Sequence, residues 1–244
     1  MAASEPLMST VPRDGLIVRF EGVWAGYDGP DVLEDMEFEL AAGELAIVSG
    51  PTAAGKTSLI HMLRLALPPR AGHATVFGED IGRLPEVRRA KLKRRIGYIA
   101  EEPVFVEDWT TFENVALPLK MANRRPGDYA DDVRELLAFV GMAEAEEELT
   151  RRLSFAERRR IAIARALAGK PDLLLADEPA AGQSPEGALR TFRLLAEICR
   201  VGAGVVIATQ SEHLAEGLDA THWHIHRGRI ARDDGAYEHA ETYS

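Results

Sequence analysis

The chain has 244 residues, 46% hydrophobic and 28% charged, which suits one large domain or a domain with an insert and excludes a disordered polypeptide. Its 29 basic residues against 39 acidic ones leave a formal charge of −10, which argues against nucleic acid held by bulk charge. The single cysteine, Cys199, excludes an intrachain disulfide and fits a reducing compartment; no run approaches the ~18 apolar residues of a spanning helix, and residues 1–14 lack an export-leader pattern.

Residues 1–14 are polar, proline-broken and aperiodic and are expected to form a flexible tail, as are residues 233–244, leaving a domain over 15–232. Leu16–Phe20 reads as a strand, followed by a turn-rich stretch with Gly26, Gly29 and Pro30. Met36–Leu40 alternates, and Leu45–Val48 is an apolar strand. Helical periodicity runs from Lys56 to Leu67, where Pro68-Pro69 stops it. Strands at Ala74–Phe77 and Ile96–Ile99 flank a basic helix, Pro85–Arg95, which reads as a solvated amphipathic face. Thr111–Leu167 is helical with breaks near Pro126-Gly127 and Gly141. The strand Leu173–Ala176, a helix over Pro185–Val201, the strand Val205–Ala208, a short helix and a strand pair complete the chain. Strands alternating with helices predict an α/β fold with a largely parallel sheet, the long helical section being a subdomain inserted between two strands.

Gly50-Pro51-Thr52-Ala53-Ala54-Gly55-Lys56-Thr57 matches the phosphate-loop pattern G-x-x-x-x-G-K-[ST] between an apolar strand and a helix, and Ser58 follows on that helix. Backbone N–H groups of such a loop cradle phosphates, Lys56 adds a cation, and Thr57 offers a hydroxyl to Mg²⁺. Downstream, Leu173–Ala176 ends in Asp177 and Glu178. Asp177 is then expected in the Mg²⁺ shell and Glu178 as the group that orients or deprotonates the attacking water. ATP and Mg²⁺ are the implied cofactors.

The order of phosphate loop, helical insert, Leu153-Ser154 helix start and Leu-Leu-Ala-Asp-Glu-Pro resembles the ATP-binding cassette (ABC) ATPases from about Leu16 to Ile230. The resemblance implies a P-loop NTPase-type core with a mostly parallel sheet, an N-terminal antiparallel β subdomain and an α-helical subdomain over about 101–168. Gly97-Tyr98-Ile99, Glu113–Leu119 and Ala164–Leu167 resemble the FtsE cell-division branch, with the lipoprotein-release and macrolide-export ATPases as near relatives. Tyr27 falls where the family places an aromatic ring against adenine, with a hairpin-core ring as the competing reading.

The departures from that family are as informative. The resemblance implies two subunits head to tail, each ATP lying between one phosphate loop and the other subunit's Leu-Ser-Gly-Gly-Gln/Glu signature; here that signature reads Leu153-Ser154-Phe155-Ala156-Glu157, so side chains stand where glycines let backbone approach a phosphate. Ser154 is a candidate γ-phosphate donor and, with Glu157, a capping box. Glu101 replaces a glutamine that reaches the metal, Gln183-Ser184 replace a Leu-Asp pair, and Gln210 replaces a histidine, keeping a hydrogen-bond donor without a charge. Arg158, Arg159 and Arg160 read as a solvated helix face. These losses predict an ATP binder with slow hydrolysis and weak homodimer closure. The resemblance implies a peripheral subunit at the cytoplasmic face of the inner membrane, held by an integral membrane partner similar to FtsX and acting with divisome proteins. The alternatives are a non-hydrolysing nucleotide-bound scaffold and the ATPase of a lipoprotein or small-molecule exporter. Pro103–Val106, Trp109 and Phe112 are expected to dock that partner or to pack in the core. His222, His224 and His226 share one strand face, read as solvated rather than as a weak Zn²⁺ site.

Overall fold

The computed structural model describes residues 15–233; the expected tails lie outside them, except Asp233, whose N–H donates to the His222 carbonyl at 2.8 Å. The chain begins with two antiparallel strands, β1 (Leu16–Ala25) and β2 (Leu33–Ala41). They are longer than expected because half-buried Trp24 and buried Leu33 continue the alternation towards the hairpin. β3 (Leu45–Ser49) leads through the glycine-rich loop into α1 (Lys56–Leu63). That helix ends four residues before its expected stop. Leu65 adopts φ +60°, and the N–H groups of Leu65 and Ala66 donate to Met62 and His61, a helix-ending turn that returns Leu65 and Leu67 to the core.

β4 (Ala71–Val76) and the two-residue β5 (Glu79–Asp80) complete a four-stranded sheet ordered β2-β1-β4-β5. α2 (Glu86–Lys93) is the expected amphipathic element and buries only Leu92. β6 (Ile96–Ile99) precedes the helical insert: α3 (Thr111–Met121), α4 (Ala130–Phe139) and α5 (Phe155–Leu167), joined by short 3₁₀ turns. Both α3 and α5 start on reciprocal capping boxes, Thr110 with Glu113 and Ser154 with Glu157. β7 (Leu173–Asp177), α6 (Pro185–Arg200), β8 (Gly204–Thr209), β9 (Thr221–His226) and β10 (Arg229–Arg232) follow.

The central sheet has the order β10-β9-β3-β8-β7-β6, parallel from β9 to β6 with β10 antiparallel at one edge. Both faces are covered, which explains continuous apolar runs rather than alternation with polar residues. Val48, Leu173, Leu175 and Val206 face one core with α1 and the antiparallel sheet; Ile47, Leu174, Val205 and Ile207 face the other, with α3 to α6. The helical insert leaves from β6 and returns to β7, which are adjacent strands. The C-terminal ends of the adjacent parallel strands β3, β8 and β7 lie side by side and form one crevice. That is where ligands bind in open parallel sheets.

Candidate active site

The loop between β3 and α1 is shaped by positions that admit no side chain. A Cβ on Gly50 would stand 2.1 Å from the Ile225 carbonyl oxygen, and one on Gly55 would stand 2.9 Å from a Leu33 methyl. Gly50 and Gly55 also take φ +153° and +114°. The hairpin between β9 and β10 braces the loop from outside, with Gly228 N–H donating to the Ala54 carbonyl at 2.9 Å. Pro51, Thr52, Ala53 and Thr57 are exposed, whereas Ala54, Gly55, Lys56 and Ser58 are buried. Lys56 folds back so that Nζ donates to the carbonyls of Gly50 (2.7 Å) and Pro51 (3.0 Å) and lies 3.9 Å from Glu178 Oε1. Burial pulls its pKa below the ordinary lysine value, opposed by the charges of Glu178, Asp177 and Glu101.

Asp177 closes β7 at 3% exposure, and its Oδ1 has no hydrogen-bond partner. Burial pushes its carboxyl up; the Thr57 hydroxyl opposes this and the Glu101 charge adds to it. Glu178 follows with φ +42°, held by Thr209 Oγ1 donating to Oε2 at 3.2 Å and by its N–H on the Ala208 carbonyl. Burial raises its pKa too, against Lys56, Thr209 and the Gln210 N–H. An orphaned carboxylate oxygen beside a threonine hydroxyl is a hard-oxygen donor pair that suits Mg²⁺, which keeps waters and substrate phosphates as its remaining ligands. Among the described residues no group of three or more His, Cys, Asp or Glu side chains could hold a metal by itself.

The raised Asp177 pKa has a consequence for stability. Its folded value lies above the ordinary aspartate value of 3.8, so the stability it contributes is present below that pH and is lost as pH rises through the folded value. Asp177→Asn should therefore raise the unfolding midpoint of the nucleotide-free protein at neutral pH by roughly 2–4 °C. The same variant should lose the Mg²⁺-dependent part of ATP affinity. A scanning-calorimetry series from pH 4 to 8 checks both the sign and the slope.

Tyr27 is exposed (47%) rather than a hairpin-core ring, and its hydroxyl meets His61 Nδ1 at 2.8 Å on the helix that carries Lys56. The loop bearing it is pinned by Arg70, which donates to the carbonyls of Tyr27 and Gly29 and pairs with Asp31 at 2.9 Å. Gln210 is exposed at the end of β8, where its Oε1 accepts from Thr52 Oγ1 at 2.9 Å, so its side chain is in contact with the phosphate loop. Glu101 is exposed on the turn after β6, close enough for its charge to act on Lys56 and Asp177. The structure therefore brings Glu101 and Gln210 to the loop, with Tyr27 beside its helix.

Ser154 stands apart from them at the start of α5. Its hydroxyl is occupied by Glu157, 2.7 Å from Oε2 and 3.3 Å from the N–H. Ser184 caps α6 in the same manner, accepting from Gly187 N–H at 3.2 Å. Three histidines do share the outer face of β9, and His224 Nδ1 lies 3.3 Å from Ser49 Oγ. Val104 is 81% exposed, while Phe105 is buried beneath the guanidinium groups of Arg158 and Arg165. The segment expected to dock a partner or to pack in the core is thus split between surface and core.

One expectation fails outright. Arg159 is 1% exposed, not part of a solvated face, and donates to the carbonyls of Ala100 (2.9 Å) and Ala181 (3.4 Å). The signal was available: Arg159 precedes Ala162 and Ile163 by three and four positions on α5, and both are core residues. Thr209 and Arg70 were also missed, because each acts through a tertiary contact that no local pattern encodes.

A cation folded into a glycine-rich turn, facing a buried acidic pair across the ends of parallel strands, defines the phosphate-loop nucleotide triphosphatase class. Residues 33–181 match the family described as ABC transporter, and the chain belongs to that family. It is 35% identical over 215 residues to the lipoprotein-releasing system ATP-binding protein LolD of Gluconobacter oxydans, covering 87% of this chain and 92% of that one. It is 33% identical over 231 residues to LolD of Bordetella pertussis, covering 92% and 100%. Among solved structures, a dimeric ATP-binding cassette carrying ADP and phosphate superposes with TM-score 0.79 at 23% identity over 88% of this chain and 97% of that one. The cbiO1 subunit of Clostridium perfringens gives 0.81 at 24% over 89% and 87%. These last two likenesses concern the fold.

Proposed function

We propose that the chain is the ATP-binding subunit of a lipoprotein-release type of ABC complex, and that it hydrolyses ATP slowly. The observation that carries the choice of complex is the 33–35% identity to lipoprotein-releasing subunits over nearly the full length of both chains. The cell-division branch suggested by Gly97-Tyr98-Ile99, Glu113–Leu119 and Ala164–Leu167 is not retained. Those segments lie in β6, α3 and α5, and relatives 33–35% identical to this chain carry the lipoprotein-release name. An FtsX-like partner and divisome proteins are set aside with it. No helix among the described residues is long and apolar enough to cross a membrane. In this reading, which family membership supports, the chain attaches to an integral partner at the cytoplasmic face. Exposed Val104 and Val106 offer a contact for that partner.

In this reading, backbone N–H groups of Gly50–Thr57 bind the phosphates, Lys56 exchanges its carbonyl partners for phosphate oxygens, and Tyr27 lies beside the base. Thr57 and Asp177, with Glu101 nearby, hold Mg²⁺, whose role is to neutralise charge on the transferred phosphoryl group. Glu178 accepts the proton of the attacking water, and burial raising its pKa above the ordinary carboxylate value makes it a stronger base. Gln210 contributes an amide donor to the γ-phosphate end. Slow turnover follows from the α5 start. Phe155 is half-exposed and rests on the loop after Glu178, where a Cβ on Gly182 would meet the ring at 3.0 Å. Removing a preorganised donor typically costs 10²–10³-fold in rate.

Two experiments test this. Reconstituted with its membrane partner in vesicles, the chain should release phosphate faster when a diacylated lipopeptide is added than with the unacylated peptide; equal rates overturn the lipoprotein assignment. Phe155→Gly with Ala156→Gly and Gln210→His should raise hydrolysis by about tenfold or more, since two phosphate-facing elements are rebuilt. An unchanged rate assigns the slow turnover to other residues.

A further inference from the structure

Arg159 is the largest fully buried side chain among the described residues, and a buried guanidinium needs compensation. Its hydrogen bonds go to two backbone carbonyls on different loops: Ala100, immediately before Glu101, and Ala181, three residues after Glu178. Its Nε has no partner, and the Phe155 ring lies 5.2 Å from the guanidinium carbon. The Ala181 N–H donates to the Glu178 carbonyl at 3.0 Å, so the loop that Arg159 grips is the turn that sets the position of Glu178. Glu101 is the carboxylate whose charge favours this guanidinium, against the effect of burial, and the same carboxylate acts on Asp177 and Lys56. A carboxylate so placed repels the phosphates of a bound nucleotide unless a cation offsets it.

We propose that Arg159 is a positioning residue that clamps the turn carrying Glu101 to the turn following Glu178 and supplies the positive charge that lets a carboxylate stand at position 101. It need not touch substrate. Its fork holds two loops from one helix position, which a lysine cannot do, and its charge acts through Glu101. The N-terminal half of α5 is thereby joined to the metal side and to the base side of the site. The proposal rests on the ATP-binding reading of that site.

The test is a titration of the full-length chain with a fluorescent ATP analogue, once with Mg²⁺ and once with EDTA, for the wild type, Arg159→Gln, Arg159→Lys, Glu101→Gln and the Arg159→Gln/Glu101→Gln double variant. Metal-free ATP carries more negative charge than its Mg²⁺ complex, so loss of the cation should weaken metal-free binding by about tenfold and Mg²⁺-ATP binding by less. Adding Glu101→Gln should return both towards wild type, and Arg159→Lys should retain the wild-type ratio of the two affinities. Glu101→Gln alone leaves the buried cation in place and should tighten metal-free binding, which keeps the test open if Arg159→Gln does not fold. Equal weakening with and without Mg²⁺, unrepaired by Glu101→Gln, marks a structural arginine and overturns the proposal. No change in metal-free affinity with Glu101→Gln overturns it as well. A wild type that binds no ATP in either buffer instead removes the nucleotide reading itself.

Discussion

Lys56→Ala should lower ATP affinity by roughly 10²-fold, the loss expected when charge-assisted hydrogen bonds to phosphate are removed. In the nucleotide-free protein Nζ is satisfied by the Gly50 and Pro51 carbonyls inside the same loop. Phosphate oxygens therefore compete with neutral acceptors rather than with a tight ion pair, since Glu178 is 3.9 Å away. Burial that lowers the Lys56 pKa also means that a dianionic phosphate group relieves a desolvated cation on binding. Because the loop is shaped by Gly50, Gly55 and the Ala54–Gly228 hydrogen bond rather than by the lysine, the variant should keep its fold. Isothermal titration beside a thermal melt separates the two effects. An unchanged dissociation constant removes the phosphate-loop assignment.

Glu178→Gln should retain ATP binding while phosphate release falls by about 10²–10⁴-fold, the usual contribution of a positioned general base. The carboxylate is well placed for that role: Thr209 and the Gln210 N–H fix one side, and Oε1 is left without a hydrogen bond. Its pKa is raised above the ordinary glutamate value of 4.5, so the acid limb of the wild-type pH profile should lie above that value, with activity lost as pH falls and Glu178 takes up its proton. The residual activity of the glutamine variant should lack that limb. The same variant, loaded with Mg²⁺-ATP, tests closure between two copies. Phe155 resting on Gly182 and Ser154 engaged by Glu157 predict little or no dimer by light scattering. A stable dimer shows that the start of α5 accepts a partner's phosphate despite its side chains.

Much of this architecture was legible in the sequence because its signals are local. The apolar runs that became β3, β7 and β8, the G-x-x-x-x-G-K-[ST] loop and the Asp177-Glu178 pair each carry their chemistry within a few residues. Ser154-x-x-Glu157 announced a helix start in the same way, and Ser154 is held by that cap. Boundaries failed where tertiary packing decides them, as at α1, whose last turn is cut short so that Leu65 and Leu67 reach the core. Glu79–Asp80 pairs with β4 over only two residues and leaves no periodicity to read. The arginine run was misjudged for a different reason. Charge was read before helical phase, and phase alone puts Arg159 against the sheet while Arg158 turns to Glu107 and Arg160 to Gly141. Choice of complex was the least legible feature, since Ile99, Val115, Leu119 and Ala164 in the segments used to assign it pack in the core and serve the fold whichever complex the chain joins.

Steady-state phosphate release by the purified chain, with ATP binding measured on the same samples and Glu178→Gln as the control, bears most directly on the reading of a slow ATPase. Both proteins should bind ATP saturably, and the wild type should show Mg²⁺-dependent release that is slow yet clearly above the control. Bound ATP with release no greater than Glu178→Gln, alone and with the membrane partner, contradicts it and leaves a nucleotide-held scaffold in place of an enzyme.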